Sequence, residues 1–239
     1  MKPVLRALVA AGLATAMVEA GCGPPSDEVT RRATMLDEIR ATYRSASTGQ
    51  PDVTVMEAMG RTRRHEFVPP ELASAAYDNR PLPIGSGQTI SQPYIVALMT
   101  DLARVRKGDR VLEVGTGSGY QAAILAEMGA TVHTIEIVAA LADTARERLA
   151  RLGYRDVHVV TGDGYEGIPA HAPYDAILVT AGAGHVPPAL VKQLKPGGRM
   201  VIPVGDPLGY QELTVVEKAA DGTAKARQVI PVRFVPLTR

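Results

Sequence analysis

Cysteine and large aromatic side chains are nearly absent from this chain of 239 residues. There is one Cys, at position 22, no Trp and only two Phe, while eight Tyr supply most of the aromatic content. A single cysteine excludes an intramolecular disulfide and a cluster of thiolate metal ligands, so packing alone must hold the fold together. So few aromatic rings also argue against a stacking surface for single-stranded nucleic acid.

The chain also lacks an excess of charge of either sign. Its 26 Lys and Arg residues against 25 Asp and Glu residues leave a formal net charge of +1. We therefore expect no nucleic-acid partner, because nothing in the overall charge attracts the chain to a polyanion. The small basic cluster of Arg61, Arg63 and Arg64 is expected to be a solvated surface. The length and the 46% hydrophobic residues predict a globular protein, which we expect to be a monomer.

Residues 1–22 differ in character from the rest of the chain. Lys2 and Arg6 precede an apolar run of about a dozen residues, and a small-residue exit leads to Cys22. A basic start, a short apolar stretch and such an exit are typical of a bacterial export signal. The run is too short for a membrane-spanning helix, which needs about 20 residues. We therefore expect an exported protein, periplasmic or lipid-anchored, with a single domain over residues 27–239.

The fate of Cys22 leaves two alternatives open. Gly21-Cys22 is typical of a lipoprotein signal, in which the cysteine carries a lipid after cleavage. Glu19 departs from that pattern, which favours an ordinary cut after Ala20 instead. A lipid at Cys22 would be the protein's one membrane contact. The alternative to export is a cytoplasmic protein, in which this segment is an Ala-rich helix or follows from a mistaken start codon.

Short β-rich runs alternate with helical windows from Arg110 onward. The five strands predicted there are Arg110–Val114, Thr131–Ile135, Val157–Thr161, Asp175–Thr180 and Arg199–Val204. Strands separated by helices predict an α/β fold with a doubly wound, mostly parallel sheet. Two further runs, Glu212–Glu217 and Gln228–Val235, predict a C-terminal antiparallel hairpin. N-terminal helices are predicted at Asp27–Arg44 and Val53–Thr62.

A glycine-rich turn follows the first of these strands. Gly115, Gly117 and Gly119 lie between that strand and a helix that begins at Tyr120. Glycines at the carboxyl end of a strand let the backbone approach a ligand closely. The dinucleotide fingerprint requires its third glycine where this chain has Tyr120, which argues against NAD or FAD. Glu113, just before the turn, would repel a pyrophosphate but suits a ligand with a cationic amino-acid end, a description that fits S-adenosylmethionine.

Two more acidic residues follow the next two strands. Glu136 comes 21 residues after Gly115, where a carboxylate accepts hydrogen bonds from ribose hydroxyls. Asp163 follows the third strand in Gly162-Asp163-Gly164, where it would meet the adenine amino group. Either residue alone could be a helix cap. Acidic residues at three successive strand ends instead predict one cofactor site.

These motifs together resemble the class I S-adenosylmethionine-dependent methyltransferases. The run Pro81–Tyr94, with Gln88-Thr89-Ile90-Ser91-Gln92-Pro93 inside it, resembles one family, the protein-L-isoaspartate O-methyltransferases. Four further stretches are similar to the same family: Arg64–Pro69, Tyr77–Asn79, Gly115–Gln121 and Arg233–Thr238. The similarity spans about Val53 to Thr238. Within the single domain we expect N-terminal helices and a lid over 27–90 and a cofactor-binding core over 91–239. The export-like segment departs from the family, whose members are ordinarily cytosolic.

The resemblance implies both a reaction and its substrate. S-adenosylmethionine would methylate the free α-carboxylate of L-isoaspartyl residues, and the ester would then close to a succinimide, which begins the repair of damaged proteins and peptides. Such a carboxylate is already ionised at pH 7, so the site needs no general base. A dry pocket and in-line positioning would supply most of the rate. The alternatives are a class I methyltransferase with another acceptor and a non-catalytic protein that kept the fold.

The resemblance places the catalytic serine at Ser91, whose hydroxyl would donate to the carboxylate. The alternative is that Ser91 caps a helix beginning near Pro93. The residues and the resemblance together place ten residues at the cofactor: Thr89, Ile90, Glu113, Gly115, Gly117, Gly119, Glu136, Asp163, Gly164 and Thr238. The substrate contacts expected are Ile84 and Val235, by the resemblance, and His185, in the loop after the fourth strand. The five histidines show no ligand spacing with one another, so we expect no metal.

Overall fold

The computed structural model describes residues 27–206 and 209–239, so the export-like segment predicted at 1–22 lies outside the described residues. The helices of the described part are α1 (Asp27–Ser45), α2 (Val53–Arg61), α3 (Pro93–Ala103), α4 (Tyr120–Glu127), α5 (Ala139–Arg151) and α6 (Pro188–Gln193). Its strands are β1 (Leu82–Gly85), β2 (Gln88–Ile90), β3 (Arg110–Val114), β4 (Thr131–Glu136), β5 (Val157–Thr161), β6 (Tyr174–Val179), β7 (Leu194–Gly205), β8 (Gln211–Lys218) and β9 (Ala224–Val232). Short 3₁₀ turns lie at Arg64–Phe67, Pro70–Ala75 and Pro169–His171.

Seven strands form one sheet in the order β5-β4-β3-β6-β7-β8-β9. The neighbours from β5 to β7 are parallel, whereas β8 is antiparallel to both β7 and β9. The predicted α/β fold is therefore confirmed, including the C-terminal antiparallel hairpin. Strand β3 is buried except for Arg110, as expected of a central strand whose two faces are both covered by other elements.

The direction of winding reverses at β3. The chain runs from β3 to β4 and β5 on one side, and then returns to place β6 against the other side of β3. Diverging connections leave a crevice at the carboxyl ends of β3 and β6, which is where open α/β sheets bind ligands. The glycine turn that follows β3 therefore lies at this crevice.

Helices α1 and α2 pack against α3 and α4 and cover one face of the sheet. Met35, Ile39 and Tyr43 of α1 are buried, and together with Met59 of α2 they belong to the main hydrophobic core. The side chain of Asp52 caps α2 by accepting a hydrogen bond from the Thr54 amide at 2.7 Å. Within the described part of the chain, no helix is both long and apolar enough to cross a bilayer.

The C-terminal strands begin earlier than predicted. Strand β9 starts at Ala224 rather than Gln228, so only residues 219–223 connect it to β8. The side chain of Asp221 accepts a hydrogen bond from the Thr223 amide at 2.9 Å and tightens this turn. The first residues of β9 are all exposed, and Ala224-Lys225-Ala226-Arg227 includes none of the β-branched or aromatic residues that are typical of strands.

The prediction of a solvated basic cluster is wrong for one of its members. Arg61 and Arg63 are exposed, but Arg64 is completely buried. The 3₁₀ turn that begins at Arg64 directs its side chain inward, where Nε donates to the Ala76 carbonyl at 2.8 Å. The sequence does not distinguish these three arginines, because all carry the same charge and lie close together. The local backbone conformation decides which of them enters the core.

Candidate active site

The glycine turn adopts a backbone conformation that other residues rarely adopt. Gly115 and Gly117 have φ values of +96° and +51°. A Cβ atom at Gly115 would lie 2.6 Å from the Thr180 hydroxyl oxygen, which donates to the carbonyl of Gly115 at 2.7 Å. The turn is thus pulled against the end of β6 with no room for a side chain, and the main chain is free to face the crevice.

A pocket lies above this turn, at the carboxyl ends of the central strands. The described residues that line it come from β2 and α3, from the ends of β3, β4 and β6, from the glycine turn and the start of α4, from the loop after β5 and from the C-terminal segment. They are Gln88, Thr89, Ile90, Ser91, Val96, Glu113, Val114, Gly115, Thr116, Gly117, Ser118, Tyr120, Gln121, Ile135, Glu136, Ile137, Val138, Gly164, Thr180, Ala181, Val235, Pro236, Leu237 and Thr238.

Glu113 lies at the floor of the pocket and is completely buried. Its Oε2 atom accepts a hydrogen bond from the Thr134 hydroxyl at 2.6 Å, and Oε1 has no partner among the described residues. Burial raises the pKa of Glu113 to about 8, although the bond from Thr134 opposes this shift. An unpartnered carboxylate oxygen in a buried position suits a cationic ligand group, because such a group would stabilise the charged form.

Glu136 ends β4 beside the same pocket. Its Oε2 atom accepts a hydrogen bond from the Gly117 amide at 2.9 Å, and Oε1 accepts one from the Val138 amide at 3.0 Å. These bonds hold the carboxylate against the glycine turn. Each carboxylate oxygen has two lone pairs, so both oxygens keep an acceptor site for ligand hydroxyls. Glu113 and Glu136 together fit a ligand with a cationic amino group and a ribose.

Ser91 lies in the pocket wall between β2 and α3. Helix α3 begins with Gln92 as its N-cap residue, and the side chain of Asn79 caps it from another segment by accepting from the Tyr94 amide at 3.0 Å. The alternative role predicted for Ser91, helix capping, is thus filled by Asn79. The Ser91 hydroxyl makes no hydrogen bond within the described part of the chain, which leaves it available to a ligand.

Some residues predicted for the site lie outside the pocket lining. Asp163 is half-buried and accepts a hydrogen bond from the Tyr165 amide at 2.8 Å, which is the local capping role that the sequence also allowed. Gly119 precedes α4, just outside the lining. His185 is exposed, with its ring centroid 6.0 Å from that of Tyr165.

The hairpin of β1 and β2 lies over the glycine turn. Ile84, in β1, is not part of the pocket lining, but its Cδ1 atom lies 3.3 Å from where a Cβ of Gly117 would be. On the opposite side, Val235 and Thr238 line the pocket. Hydrogen bonds between the main chains of Gly182 and of Val235 and Leu237 hold this C-terminal segment against the loop after β6.

Several residues around the pocket were not foreseen. The Thr134 hydroxyl links Glu113 to the Thr116 hydroxyl, with the two hydroxyl oxygens 2.6 Å apart. Thr180 clamps the glycine turn at the end of β6. Thr180 could have been found as a polar residue at the end of a predicted strand. Thr134 lies inside a buried strand, and nothing in the local pattern distinguishes it from a core residue.

Three histidines that are far apart in sequence come together on one face of the sheet. The ring of His133, in β4, stacks on that of His171 with centroids 4.1 Å apart. The ring centroid of His158, on the neighbouring strand β5, lies 5.0 Å from that of His133. Burial lowers the pKa of His133 to about 4. Stacked rings direct their nitrogens sideways rather than toward a common point, and no group of three His, Cys, Asp or Glu within the described residues could hold a metal ion.

The fold and this pocket define a class I S-adenosylmethionine-dependent methyltransferase. This class is defined by a doubly wound sheet with its crevice at β3, by a glycine turn there and by two carboxylates that fit the cofactor's amino group and ribose. Residues 39–239 match the family described as protein-L-isoaspartate(D-aspartate) O-methyltransferase. The chain belongs to this family.

Named relatives and solved structures agree with this assignment. Over 208 residues the chain is 61% identical to protein-L-isoaspartate O-methyltransferase 2 of Polaromonas sp., a match that covers 85% of this chain and 99% of that protein. It is 55% identical to protein-L-isoaspartate O-methyltransferase 1 of Cupriavidus necator, over 99% of this chain and 92% of that protein.

A solved protein-L-isoaspartate O-methyltransferase has a TM-score of 0.77 and 29% identity to this chain. The match covers 87% of this chain and 66% of that protein's chain. A second solved structure is the Plasmodium falciparum protein in complex with S-adenosyl-L-homocysteine. It has a TM-score of 0.73 and 24% identity, and the match covers 87% of this chain and 98% of that one. At that identity the second structure supports the fold.

Proposed function

We propose that Ser91 is the catalytic residue of this pocket and that its hydroxyl orients the carboxylate of the substrate. The activity of the chain is the S-adenosylmethionine-dependent methylation of L-isoaspartyl residues in damaged proteins and peptides, which initiates their repair. The observation that supports the role of Ser91 is its hydroxyl in the pocket wall, left without a partner because Asn79 caps α3 in its place.

The residues of the pocket suit a transfer that needs little acid–base chemistry. When bound, S-adenosylmethionine supplies an electrophilic methyl group on a positively charged sulfur. Because the substrate carboxylate is ionised at neutral pH, no residue has to remove a proton. A hydroxyl such as that of Ser91 donates one hydrogen bond without neutralising the carboxylate. The hairpin over the turn and the C-terminal segment would exclude water from the two opposite charges, which speeds their combination.

We propose that the cofactor is held by the residues that follow the central strands. Glu113 would pair with the cationic amino group, and Glu136 would accept hydrogen bonds from the ribose hydroxyls. The remaining cofactor contacts proposed are Thr89, Ile90, Gly115, Gly117, Gly119, Asp163, Gly164 and Thr238. Of these, Gly119 and Asp163 lie outside the pocket lining, so their contribution would be to shape the turns on which the neighbouring residues lie.

We propose that the substrate meets the pocket between the β1–β2 hairpin and the C-terminal segment. Ile84 and Val235 lie on these two sides of the pocket. His185 is exposed beside Tyr165, whose hydroxyl lies 3.5 Å from the Leu237 carbonyl at the pocket. It would therefore contact the peptide that flanks the isoaspartyl residue.

We also propose that residues 1–22 direct export, with a lipid at Cys22 or an ordinary cut after Ala20, and that the mature chain is a monomer. The basic start and short apolar run support export. The cytoplasmic synthesis of S-adenosylmethionine means that an exported enzyme needs a supply of its cofactor.

The test is the transfer of tritiated methyl groups to an isoaspartyl peptide and to its aspartyl twin. We expect labelling of the isoaspartyl peptide alone. Ser91→Ala should lower kcat/KM by about 10- to 100-fold, the effect of losing one hydrogen bond to a charged group. Ser74→Ala, at an exposed serine outside the pocket, is the matched control and should keep full activity. Equal labelling of both peptides would refute the substrate, and full activity of Ser91→Ala would remove Ser91 from its role.

A further inference from the structure

Arg64 is a buried cation with no anionic partner. Its residue surface is 0% exposed, and it forms no ion pair with a carboxylate in the described part of the chain. Burial lowers the pKa of its guanidinium group, yet arginine stays charged in proteins. Because an unpaired charge in the core is costly, its presence calls for a compensating role.

The guanidinium group of Arg64 contacts two residues of the pocket wall. Its Nη2 atom donates to the Ser91 carbonyl at 2.7 Å, and its Cζ atom lies 4.7 Å from the centroid of the Tyr120 ring. Its Nε atom donates to the Ala76 carbonyl, so the planar group joins three segments at once. The Ser91 main chain is therefore fixed relative to the start of α4 through one side chain.

Two polar atoms in this contact remain without partners. Arg64 Nη1 and the Tyr120 hydroxyl are both buried and make no hydrogen bond within the described residues. At the wall that carries Ser91, the Arg64 guanidinium group thus keeps an N–H donor without an acceptor and a positive charge without an anionic partner.

The charge of the pocket shows why this cation matters. The described residues that line the pocket include two carboxylates, Glu113 and Glu136, but no Lys or Arg. The charged side chains that line the pocket are thus all acidic, so any positive charge that the protein itself offers to an anionic substrate must come from behind the wall. Arg148 also reaches a pocket carbonyl, that of Ser118, but it is only half-buried. Arg64 is the completely buried cation in contact with the wall, where the local dielectric is low and its field is strongest.

We propose that Arg64 is a positioning residue that holds Ser91 in place for the transfer and supplies the positive charge against which the substrate carboxylate binds. This inference rests on the proposed function of the pocket. The two parts affect different kinetic constants. The carboxylate loses its charge during transfer, so the charge of Arg64 stabilises the bound substrate more than the transition state and acts on KM. The placement of the Ser91 hydroxyl acts on kcat.

Two substitutions at Arg64 separate these parts. Arg64→Met removes both the charge and the donors, and we expect KM for an isoaspartyl peptide to rise at least tenfold and kcat to fall at least fivefold. Arg64→Lys, assayed beside wild type at pH 6 so that the buried ammonium group keeps its proton, cannot donate from a planar fork to both carbonyls. At that pH its KM should stay within threefold of wild type while kcat falls as in Arg64→Met. Arg63→Met, the same change at the exposed neighbour, is the control and should leave both constants unchanged.

A double variant tests whether Arg64 acts through Ser91. Combined with Ser91→Ala, the Arg64→Met change should lower kcat by less than twofold further, because the residue that it positions has lost its hydroxyl. The melting temperature and the dissociation constant for S-adenosylhomocysteine, measured for each variant, report on folding and on the cofactor site. We expect the affinity for S-adenosylhomocysteine to stay within threefold of wild type.

The outcomes separate this inference from the proposed function. Two results would overturn the inference and leave the proposed function intact, provided that the wild-type protein is active. The first is an unchanged KM for the peptide in Arg64→Met. The second is a KM raised as much in Arg64→Lys as in Arg64→Met. Fully additive losses of kcat in the double variant do the same, as does a loss of S-adenosylhomocysteine affinity equal to the loss of activity. A wild-type protein that does not methylate the isoaspartyl peptide overturns the proposed function and this inference with it.

Discussion

At Glu113, burial favours the protonated carboxyl group, whereas the proposed pairing with a cation needs the ionised one. Glu113 lies at the floor of the pocket with one oxygen unpartnered, and burial raises its pKa to about 8. The group is therefore mostly protonated at pH 7 before a ligand binds. A cationic ammonium group beside it would favour the ionised form, so binding of the cofactor should release a proton.

This proton release predicts a pH dependence of cofactor binding. If Glu113 pairs with the cation in its ionised form, as we propose, the affinity for S-adenosylhomocysteine should rise as the pH increases from 6 to about 8, by at most about tenfold per pH unit, and should level off above that. Titration calorimetry in two buffers of different ionisation enthalpy would measure the proton released. Glu113→Gln should flatten the dependence, while Glu71→Gln, at an exposed position, should not. Equal wild-type affinity at pH 6 and pH 8 would contradict this expectation.

At the scale of an element, the turn between β3 and α4 acts as one unit. The positive φ angles of its glycines, the clamp from Thr180 and the bond from the Gly117 amide to Glu136 fix its path. The strand, the turn and the helix that follows thus place the main chain at the crevice without any side chain between it and a ligand. A change inside the turn should therefore affect both stability and binding.

Alanine substitutions at Gly115, in this turn, and at Gly153, after α5, separate the effect of backbone strain from that of steric overlap. Gly115 and Gly153 have similar φ values of +96° and +87°, but only at Gly115 does a Cβ meet a neighbour within 4 Å. Gly153→Ala should lose about 1–2 kcal/mol of unfolding free energy and keep its cofactor affinity. Gly115→Ala should lose more and should weaken S-adenosylhomocysteine binding at least tenfold. Denaturant unfolding and calorimetry would measure both, and equal effects at the two positions would show that overlap with Thr180 plays no part.

At the scale of the whole molecule, the N-terminal segment bears on the cellular compartment in which the protein works. The described domain binds a cofactor of cytoplasmic origin, whereas residues 1–22 have the pattern of an export signal. We expect the mature protein to begin at or just after position 21, with a lipid if Cys22 is its first residue. Mass spectrometry of the mature N-terminus in fractionated cells would measure this. An intact Met1 in the soluble cytosolic fraction would end the proposal of export.

Much of the fold could be predicted because its signals are local. The alternation of β-rich runs and amphipathic windows depends on neighbouring residues, and so does the step from a buried strand into glycines. Strand ends in a parallel sheet all meet at one edge, so Glu113 and Glu136 could be assigned to one site from their positions alone. The exposed start of β9 escaped prediction, because an edge strand in solvent needs no apolar face.

What the sequence determined by itself was the α/β fold, the class of cofactor and the strand-end residues Glu113 and Glu136 that line the pocket, since each follows from local pattern and chain order. Only the tertiary structure decided which of three neighbouring arginines enters the core, that Asn79 rather than Ser91 caps α3, and that His133 stacks on His171. These contacts join segments that are distant along the chain. They depend on the packing of elements in three dimensions, on which the spacing of residues along the chain gives no information.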